Sequence, residues 1–578
     1  MQTYQNWDIQ EIPLWSPFFR NRVERFLGAN GLRMETFDAY YTIQNTEGEI
    51  LAGAGLSGNT IKCVAVREDM RSEGLTAPLI SHIISTHPGQ NLLVFTKPEN
   101  EAVFQSMGFH LLSRAPKAVL MENGRGLERY CQYLGSLRRP GRSGVIVMNA
   151  NPFTLGHRFL LEQAASQVDT LYVIPVKEDR SVFPYEERLD MIRRGIPDTN
   201  LASRVLVPEG SDYCISAATF PTYFLKDLTD ASETQMRLDL DLFGRHIAPA
   251  LGATVRFVGT EPLDPLTARY NALMQEVLPI EVVEIPRLRQ GDLSTSLEMT
   301  AVSASAVRAA LERGSFHEAS ALTPATTHPY LLAFLADRAL RMELDTPLKP
   351  GLVGPDGPGA HHDMNYATME AGIRSLRPFW PMMAVAPDAD SLQQLGIDAE
   401  AAMMAATGGV NTHRGAIFAL GLAINAAWQA FAAIGRRMDI ADFQDVMQNR
   451  LVQITQTILR KSVIPNDFHS TPIGARRIAL TGYQELWNDW LPFYSKTMEI
   501  SHLQATLLRI MSSLDDTCVI KRAGAERAEE VQREAKALLE DFSQEKLKDM
   551  CTRYAQKGIS PGGAADMLAL TIFIHSII

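Results

Sequence analysis

A short apolar run, a turn and the start of a helical pattern constrain the fold of the first half of this chain most strongly. Residues 145–148 are apolar and mostly β-branched, which is typical of a buried strand in a parallel sheet. Residues 149–153 carry turn chemistry, and a helical pattern of apolar residues begins at Thr154. Such a connection turns unpaired backbone N–H groups and the positive end of the helix dipole towards the loop. The sequence therefore predicts a phosphate site, with close backbone approach at Gly156 and a donor on His157.

The run Asn-Pro-Phe-Thr-Leu-Gly-His at residues 151–157 resembles the Thr-x-Gly-His form of the nucleotidylyltransferase signature. The resemblance implies that Asn151, Thr154, Gly156 and His157 bind ATP and that His157 is also catalytic. A plainer alternative is a helix capped at Thr154 with a solvent-facing histidine. The strand–loop–helix context favours the nucleotide site.

A second phosphate motif is suggested by Val-Ser-Ala-Ser-Ala-Val-Arg at residues 302–308, which opens another helical pattern. It resembles the second nucleotidylyltransferase motif, in which hydroxyls and a basic residue hold the β- and γ-phosphates. The resemblance implies ATP-binding roles for Ser303, Ser305 and Arg308, and a catalytic role for Arg308. The alternative is a serine cap before an amphipathic helix. Convergence of two motifs on one site favours phosphate binding.

Apolar runs that alternate with helical patterns surround these motifs and predict a Rossmann-like parallel sheet with helices on both faces. The remaining predicted strands are 170–176, 204–208, 255–259 and 281–286. Ligands of such sheets bind beyond the carboxyl ends of the strands. The loops expected there are 149–157, 177–181 and 259–262.

The first 125 residues or so have the pattern of a separate small α/β unit. Strands are predicted at 37–44, 50–56, 63–66 and 91–96, with a helix after 71–76. This unit resembles the acetyl-CoA-dependent N-acetyltransferase fold, in which the loop equivalent to 71–76 binds the pyrophosphate of coenzyme A. Thr76 stands where that family usually has Gly or Ala, so a structural or pantetheine-docking role stays open beside acetyl transfer.

Taken in order, these pieces and the run Phe-Pro-Tyr-Glu-Glu-Arg at 183–188 resemble citrate lyase ligase, over about residues 1–322. The resemblance implies Mg²⁺-ATP and acetate as substrates, with acetyl-adenylate, pyrophosphate and AMP formed on the way. The acetyl acceptor would be the prosthetic thiol of the citrate lyase acyl carrier protein. That family often has Gly-Lys shortly before the serine motif, where this chain has residues 298–301. The basic contact to the leaving pyrophosphate is therefore either missing or supplied from elsewhere, such as Arg287 or Arg289.

From about residue 329 the pattern changes to helices rich in Ala, Leu and Met, with polar motifs at the helix junctions. The motifs occupy residues 348–353, 359–364, 409–415, 514–517 and 560–567. Each one alone fits a turn or a helix end. Together they supply Lys, His, Asp, Asn, Arg and glycine loops, which is the inventory for a nucleotide with Mg²⁺.

These motifs resemble triphosphoribosyl-dephospho-CoA synthase over about residues 330–578. The resemblance implies that ATP reacts with the 2′-hydroxyl of 3′-dephospho-CoA, that adenine leaves and that the triphosphate is retained. The implied catalytic residues are Lys349, His361, Asp363 and His413, and the implied Mg²⁺ ligands are Asp363, Asp515 and Asp516. The implied ATP-binding residues are Gly351, Asn411, Thr412, Arg414, Gly415, Ser560, Gly562 and Gly563. Zinc at His361, His362 and His413 is an alternative, but the usual thiolate or carboxylate spacing is missing.

Composition narrows the class of protein further. A net charge of −11 disfavours nucleic-acid binding. Five scattered cysteines without a C-x-x-C pair predict reduced thiols, and with no signal-peptide pattern this favours a cytoplasmic protein. Residues 415–435 are uncharged and of membrane-spanning length, but a buried core helix is the preferred interpretation.

The sequence as a whole therefore predicts a bifunctional enzyme of citrate lyase maturation with three domains. These are an N-acetyltransferase-like domain at 1–137, a nucleotidylyltransferase domain at 138–325 and an all-α synthase domain at 326–578. The expected partners are the acyl carrier protein and small molecules, without nucleic acid or membrane. The alternative is a front half that serves another acceptor, or that only docks the carrier, with the C-terminal synthase alone active.

Overall fold

The computed structural model describes most of the chain, in nine stretches. They are residues 7–177, 181–196, 202–214, 228–260, 265–287, 302–434, 440–461, 474–494 and 500–578. The chain forms two compact units, residues 1–302 and 303–578. The predicted boundary at 137/138 falls inside the first unit, and the boundary at 325/326 falls inside the second. The predicted basic residue Arg289, the segment 298–301 and parts of the loops 177–181 and 259–262 lie outside the described residues.

The first unit begins with a mixed seven-stranded sheet. Its strands are β1 Ile9–Glu11, β2 Ala39–Gln44, β3 Ile50–Ser57, β4 Thr60–Val66, β5 Leu93–Thr96, β6 His110–Arg114 and β7 Val119–Glu122. The order is β1-β2-β3-β4-β5-β7-β6, and only β4 and β5 pair in parallel. The four predicted strands are confirmed as β2 to β5, whereas β1, β6 and β7 are additional.

Four helices cover the two faces of this sheet. They are α1 Pro17–Ala29, α2 Thr76–Thr86, α3 Glu101–Ser106 and α4 Gly126–Ser136. Helices α2 and α3 bury Leu79, Ile83 and Phe104 against one face. Helices α1 and α4 bury Val23 and Leu134 in a second core on the opposite side. This second core continues into the following α/β part of the same unit, because it also includes side chains of its sheet and helices.

The second sheet of this unit is entirely parallel, as predicted. Its strands are β8 Ser143–Met148, β9 Thr170–Pro175, β10 Val205–Leu206, β11 Val255–Gly259 and β12 Glu281–Ile285. Its helices are α5 Leu155–Ala165, α6 Tyr185–Gly195, α7 Leu228–Leu242, α8 Ala248–Leu251 and α9 Pro265–Val277. The strand order is β10-β9-β8-β11-β12, so the order reverses between β8 and β11. Ligands of open parallel sheets bind at such a reversal, beyond the strand ends, and the loop after β8 lies there.

The two sheets are joined through the buried carboxylate of Glu122, at the end of β7. It accepts hydrogen bonds from Asn91 Nδ2 and the Tyr213 hydroxyl, each at 2.6 Å, and from the backbone N–H of Leu127 at 3.3 Å. A fully buried carboxylate needs this many donors to offset its desolvation. Because Tyr213 belongs to the second part of the unit, the contact ties both parts together.

The described residues of the second unit form helices and connecting loops, and their β structure is limited to an isolated bridge between Gly354 and Gly357. Its first helices are α10 Ala304–Glu312, α11 Phe316–Ala321, α12 His328–Asp345, α13 Tyr366–Leu376, α14 Phe379–Ala384, α15 Ala389–Ala406, α16 Arg414–Ile434 and α17 Ile440–Lys461. The others are α18 Gly474–Leu480, α19 Leu491–Phe493, α20 Ile500–Met511, α21 Thr517–Ala523, α22 Ala525–Glu540, α23 Gln544–Lys557 and α24 Gly562–Ile577. Helix α24 is buried along most of its length and packs against α12, α16 and α20.

Helix α16 contains the uncharged stretch that has membrane-spanning length. Among the described residues it is the one helix long and apolar enough for that role, by length and composition alone. Two thirds of its most apolar window, 67%, is buried inside the protein. The helix packs against α14, α17 and α24, which is the environment predicted for a core helix.

Candidate active sites

The loop after β8 ends in a reciprocal cap that fixes the imidazole of His157. The Thr154 hydroxyl accepts the backbone N–H of His157 at 3.3 Å. In return, His157 Nδ1 accepts the backbone N–H of Thr154 at 3.0 Å and lies 2.9 Å from the Thr154 hydroxyl. The ring also stacks on Phe153, with centroids 5.7 Å apart. The first turn of α5 therefore holds the histidine as a side-chain analogue of a capping box.

This arrangement determines which nitrogen of His157 can act on a ligand. Because Nδ1 accepts a backbone N–H, a neutral ring carries its proton on Nε2. Burial and the nearby charge of Arg287 lower the pKa of His157 to about 4. Near neutral pH the side chain is therefore an uncharged hydrogen-bond donor at the N-terminus of α5. The plainer alternative of a solvent-facing histidine does not fit, because the ring is packed and only partly exposed.

Arg188, from the run at 183–188, is hydrogen-bonded to the first residue of the loop at 149–157. Its guanidinium is fully buried and donates to the Asn149 carbonyl at 2.9 Å and to Asn149 Oδ1 at 2.7 Å. It also donates to the carbonyls of Val176 at 2.8 Å and Phe183 at 3.0 Å. The side chain of Asn151 accepts the Phe183 N–H at 3.0 Å. One arginine thus joins the chain ends that follow β8 and β9.

We expect Arg188→Lys to lower the ATP turnover predicted for the first unit by a large factor while changing the melting temperature only slightly. Lysine keeps the charge but cannot reproduce a planar fork that donates to several carbonyls at once. A loop displaced by even 1 Å can cost about 100-fold in rate. The measurement is acetate-dependent ATP turnover beside thermal unfolding, with Arg194→Lys as the control, because Arg194 forms an exposed pair with Asp190 in the same helix. A variant with wild-type turnover would contradict this role for Arg188.

Two further features of the first unit lie near the phosphate loop. A Cβ atom on Gly156 would lie 3.3 Å from the carbonyl oxygen of Val302, so the chain leading to the serine motif passes beside this glycine. Arg287 follows β12 and is close enough to lower the pKa of His157. Arg287, which the sequence suggested for the basic contact to the leaving pyrophosphate, is therefore near the loop at 149–157.

The serine motif itself begins α10, in the second unit. The Ser303 hydroxyl accepts the backbone N–H of Ala306 at 3.1 Å, so Ser303 is the cap that the plainer interpretation expected. Ser305 is exposed and Arg308 is partly exposed. Capping uses one lone pair of the Ser303 oxygen and leaves its O–H free to donate.

In the second unit, sequence-distant motifs come together around the start of α24. A Cβ atom on Gly351 would lie 1.8 Å from the carbonyl oxygen of Ile559, so this left-handed glycine is required by the packing of its own loop. His361 Nε2 lies 2.8 Å from the Ser560 hydroxyl. Burial and the charge of Arg522 lower the pKa of His361. The lysine, histidine and serine motifs therefore form one cluster.

Lys349 occupies the inner side of this cluster as half of a buried ion pair. Its side chain is 1% exposed, and its ammonium donates to Glu343 Oε1 at 2.5 Å and to the Glu343 carbonyl at 2.6 Å. Glu343 lies in α12 and belongs to no motif that the sequence singled out. The predicted triphosphate contact of Lys349 must therefore compete with a partner already in place.

His413 lies beside this pair at the start of α16. Its Nδ1 lies 2.8 Å from the Thr412 hydroxyl, while its Nε2 is buried without a hydrogen-bond partner. Burial, together with the charge of Lys349, lowers the pKa of His413 to about 3. The ring is therefore neutral at physiological pH, with one nitrogen left to bind a ligand.

Two aspartates connect the cluster to the glycine loop of residues 560–567. Asp516 caps α21 through the Cys518 N–H at 2.8 Å and also accepts the Ala564 N–H at 2.8 Å. Asp566 lies over Gly415, where a Cβ atom would be 1.9 Å from its Oδ2. Burial, followed by the charges of Asp516 and Glu343, raises the pKa of Asp566 well above its usual value. Asp566 was missed as a site residue, although its motif was recognised.

The close approach at Gly415 gives a direct test of this packing. We expect Gly415→Ala to push the Asp566 carboxyl away. The overpacking should lower the unfolding free energy by about 1–3 kcal/mol. It should also lower the turnover of ATP that is predicted for the second unit. Gly396→Ala is the matched control, because nothing lies within 4 Å of its Cβ position in α15 and alanine favours helix by about 1 kcal/mol. Chemical denaturation measures the unfolding free energy of both variants. Equal stabilisation by the two substitutions would contradict the packing.

The remaining predicted residues lie at the rim of the cluster. Asn411 is exposed and accepts the Arg414 N–H at 3.1 Å, and Arg414 pairs with Glu400 while its side chain stays 58% exposed. Asp363 is 60% exposed and lies 3.7 Å from His361 Nδ1. Asp515 Oδ2 lies 3.5 Å from the Arg477 guanidinium, and Asp515 Oδ1 accepts a hydrogen bond from Gln532 Nε2 at 3.3 Å. Cβ atoms on Gly562 and Gly563 would come within 3.2 Å of Cys518 Sγ and 3.0 Å of Asp516 Oδ2, respectively.

Within the described ranges no group of three or more His, Cys, Asp or Glu side chains is arranged to hold a metal ion. Both oxygens of Asp516 already accept backbone N–H groups. Asp363 and Asp515 are the predicted carboxylates that stay accessible to solvent, with side chains 60% and 42% exposed. A magnesium ion carried by the nucleotide needs only one or two protein carboxylates, because phosphate and water supply its other ligands.

A loop and helix N-terminus at the reversal of a parallel sheet, followed along the chain by a helical unit with a buried cluster of Lys, His and Asp side chains, are typical of a multidomain nucleotide-dependent enzyme. The family model of the citrate lyase ligase C-terminal domain matches residues 143–331. That of ATP:dephospho-CoA triphosphoribosyl transferase matches residues 329–578. The chain belongs to the citrate lyase ligase family in its first part and to the triphosphoribosyl-dephospho-CoA synthase family in its second.

Individual relatives support both assignments. A citrate (pro-3S)-lyase ligase of Escherichia coli K12 is 43% identical, over 54% of this chain and 89% of its own length. A 2-(5″-triphosphoribosyl)-3′-dephosphocoenzyme-A synthase of Klebsiella pneumoniae is 35% identical, over 43% of this chain and 94% of its own. A solved structure of a protein of the latter kind from Archaeoglobus fulgidus covers 36% of this chain and 96% of its own, at 18% identity and a TM-score of 0.27. That overlap is too weak to add to the assignment.

Proposed function

We propose that this chain carries two active sites that serve citrate lyase maturation. The first acetylates the prosthetic thiol of the lyase acyl carrier protein at the expense of ATP. The second makes the precursor of that prosthetic group from ATP and 3′-dephospho-CoA. The observation that carries the proposal is the match of each part to nearly the full length of a relative with that activity.

At the first site, acetate attacks the α-phosphate of ATP and pyrophosphate leaves. The carrier thiol then attacks the acetyl carbonyl and releases AMP. Such phosphoryl chemistry needs positioning and charge stabilisation more than covalent help from the protein. His157 donates from Nε2 to an α-phosphate oxygen beside Gly156, and Arg287 contacts the pyrophosphate. For Ser303, Ser305 and Arg308, at the start of the second unit, pyrophosphate binding is the role that the family resemblance implies.

The opening part of the chain supplies an N-acetyltransferase-like domain with a cleft for a pantetheine arm. The parallel strands β4 and β5 pair over only two residue pairs, Thr60 with Leu93 and Ile61 with Val94. A cavity of about 560 Å³ opens beside them, lined by Val66, Arg71 and Thr96 among others. Unpaired strand edges suit the amides of a pantetheine chain, and Arg71 suits its phosphate.

At the second site, the 2′-hydroxyl of dephospho-CoA attacks C1″ of the ATP ribose and adenine leaves. The hydroxyl loses one proton and the purine gains one, so the step needs a proton acceptor and a proton donor. His413 is neutral, and its unpartnered Nε2 is suited to hydrogen-bond the attacking hydroxyl, whose proton passes to water. Asp566, with its raised pKa, is suited to give a proton to the purine. Arg414 at the rim faces the triphosphate, whose Mg²⁺ would contact Asp363.

Isotope experiments test the two halves separately. At the first site, acetate should drive exchange of labelled pyrophosphate into ATP without any carrier, because acetyl-adenylate forms reversibly. At the second, label in the γ-phosphate of ATP should appear in the dephospho-CoA product, because the triphosphate is retained. Pyrophosphate exchange that does not depend on acetate would favour the alternative of another acceptor. Absence of exchange together with carrier binding would favour a docking module.

A further inference from the structure

Lys177 follows β9 directly, at the edge of the parallel sheet where the loop at 149–157 also lies. Strands β8 and β9 pair in parallel up to Met148 and Pro175, and the Val176 N–H donates to the Met148 carbonyl at 3.0 Å. The residues that follow the two strands are therefore neighbours, because paired strands lie about 4.8 Å apart. Lys177 thus lies at the edge of the sheet where ligands bind, beside the loop at 149–157.

The described residues of the loops that follow the five strands contain two Lys or Arg side chains, one on each side of the loop at 149–157. Lys177 follows β9 and Arg287 follows β12, and the strand order is β10-β9-β8-β11-β12. The nearby guanidinium of Arg188 is buried and donates to backbone carbonyls. His157 is uncharged near neutral pH, because its pKa is lowered to about 4. Among the described residues, Lys177 is therefore the cation that a ligand can reach on the β9 side.

The geometry of phosphoryl transfer gives the β9 side a specific role in the first activity. The attacking and leaving oxygens stand roughly in line, on opposite sides of the phosphorus atom. If pyrophosphate leaves towards Arg287, on the β12 side, acetate approaches from the β9 side, where Lys177 lies. Acetate and the α-phosphate are both negatively charged, so a cation beside them offsets their repulsion as they approach each other.

The protein holds the Lys177 ammonium through a weak ion pair. Nζ lies 3.8 Å from Asp212 Oδ1, and the two side chains are 46% and 47% exposed. An exposed pair at this distance is weak, and the flexible lysine stem can carry the ammonium to a stronger anion. Asp212 is itself fixed from the N-terminal sheet, because its Oδ2 accepts a hydrogen bond from Asn59 Nδ2 at 3.1 Å. Asp212 therefore restrains Lys177 and competes with any anion that binds it.

We propose that the Lys177 ammonium binds the carboxylate of acetate and orients it for attack on the α-phosphate of ATP, an inference that rests on the first activity proposed above. One carboxylate oxygen forms the new bond to phosphorus, and the bond from phosphorus to the oxygen that bridges the α- and β-phosphates breaks. Pyrophosphate leaves with that electron pair, and no proton is transferred. Lys177 contacts the other carboxylate oxygen and holds acetate in line with the leaving group. Asp212 is a positioning residue, because it acts through Lys177.

The test measures acetate-dependent exchange of labelled pyrophosphate into ATP while the concentrations of acetate and of ATP are varied in turn. We expect Lys177→Gln to raise the KM for acetate about tenfold or more, because a charge-assisted contact to that substrate is lost. The KM for ATP should change by less than about twofold, and Lys177→Arg, which keeps the charge, should restore most of the affinity for acetate. Lys117→Gln is the matched control, since this exposed lysine lies between β6 and β7 of the other sheet.

Asp212→Asn changes the same KM in the opposite direction. It removes the competing charge and keeps an oxygen for Asn59, so the KM for acetate should fall about two- to fivefold.

Three results would overturn the inference. The first is a Lys177→Gln enzyme whose KM for acetate stays within about twofold of wild type, as expected for Lys117→Gln. The second is a rise of equal size in the KM values for acetate and ATP, because Lys177 would then not act on acetate in particular. The third is a higher KM for acetate in Asp212→Asn. A wild-type enzyme without acetate-dependent exchange is a distinct result, because it would overturn the first activity and this inference together.

Discussion

His157→Ala should abolish acetate-dependent ATP turnover while leaving adenine release intact. The substitution removes the Nε2 donor that the Thr154 cap orients, and loss of one preorganised donor costs about 10²–10³ in rate. The second activity in the same polypeptide is the internal control for folding. Thr154→Ser is the matched variant, because serine keeps the capping hydroxyl and should retain most of the turnover.

The pH dependence of this effect follows from the lowered pKa of His157. With a pKa of about 4 in the folded protein, the ring stays a neutral donor down to that pH, so it should add no inflection between pH 5.5 and 8. The unfolded chain takes up this proton near pH 6.5. The contribution of His157 to folding stability therefore falls as pH drops from about 6.5 to 4. Turnover in His157→Ala within threefold of wild type would contradict the assigned role.

Lys349→Met should destabilise the second unit by about 3–5 kcal/mol, because it leaves the buried carboxylate of Glu343 without its partner. Urea unfolding followed by circular dichroism measures this loss. The pKa of His413 should also rise from about 3, because the charge of Lys349 contributes to lowering it. Proton NMR of the imidazole would follow that change.

The double variant Glu343→Met with Lys349→Met tests whether the ion pair is needed for folding stability or for ligand binding. Two methionines of similar volume should restore most of the stability, since a buried ion pair is often replaceable by apolar packing. Restored stability with restored adenine release would make the pair structural. A single Lys349→Met variant with wild-type stability but no adenine release would contradict the ion-pair account and favour the triphosphate contact that the sequence implied.

The strand, loop and helix at residues 144–165 of the first unit were predictable because their signals are local. An apolar strand, turn residues and a helix cap all lie within residues 144–165, and the structure has β8, the loop and α5 there. The strand order β10-β9-β8-β11-β12 was not predictable in this way, because it depends on which distant strands pair. The position of the loop at the reversal of that order followed only from the structure.

The sequence motifs of the second site did not predict how its buried residues pack. The motif at 348–353 identifies Lys349 but not its burial against Glu343, which lies in a helix without a distinctive pattern. Gly351 was predicted to bind ATP, which stays a prediction, and its packing against the Ile559 carbonyl could not be read from the motif. Tertiary packing decides such roles, so single-sequence patterns cannot.

The most direct test of two active sites in one chain is a product analysis of the purified wild-type protein with Mg²⁺-ATP. One reaction receives acetate and the reduced lyase carrier, another receives 3′-dephospho-CoA, and nucleotides are resolved by chromatography. We predict AMP and pyrophosphate only in the first reaction and adenine only in the second. Adenine without AMP would contradict a catalytic first part, and neither product would contradict the account as a whole.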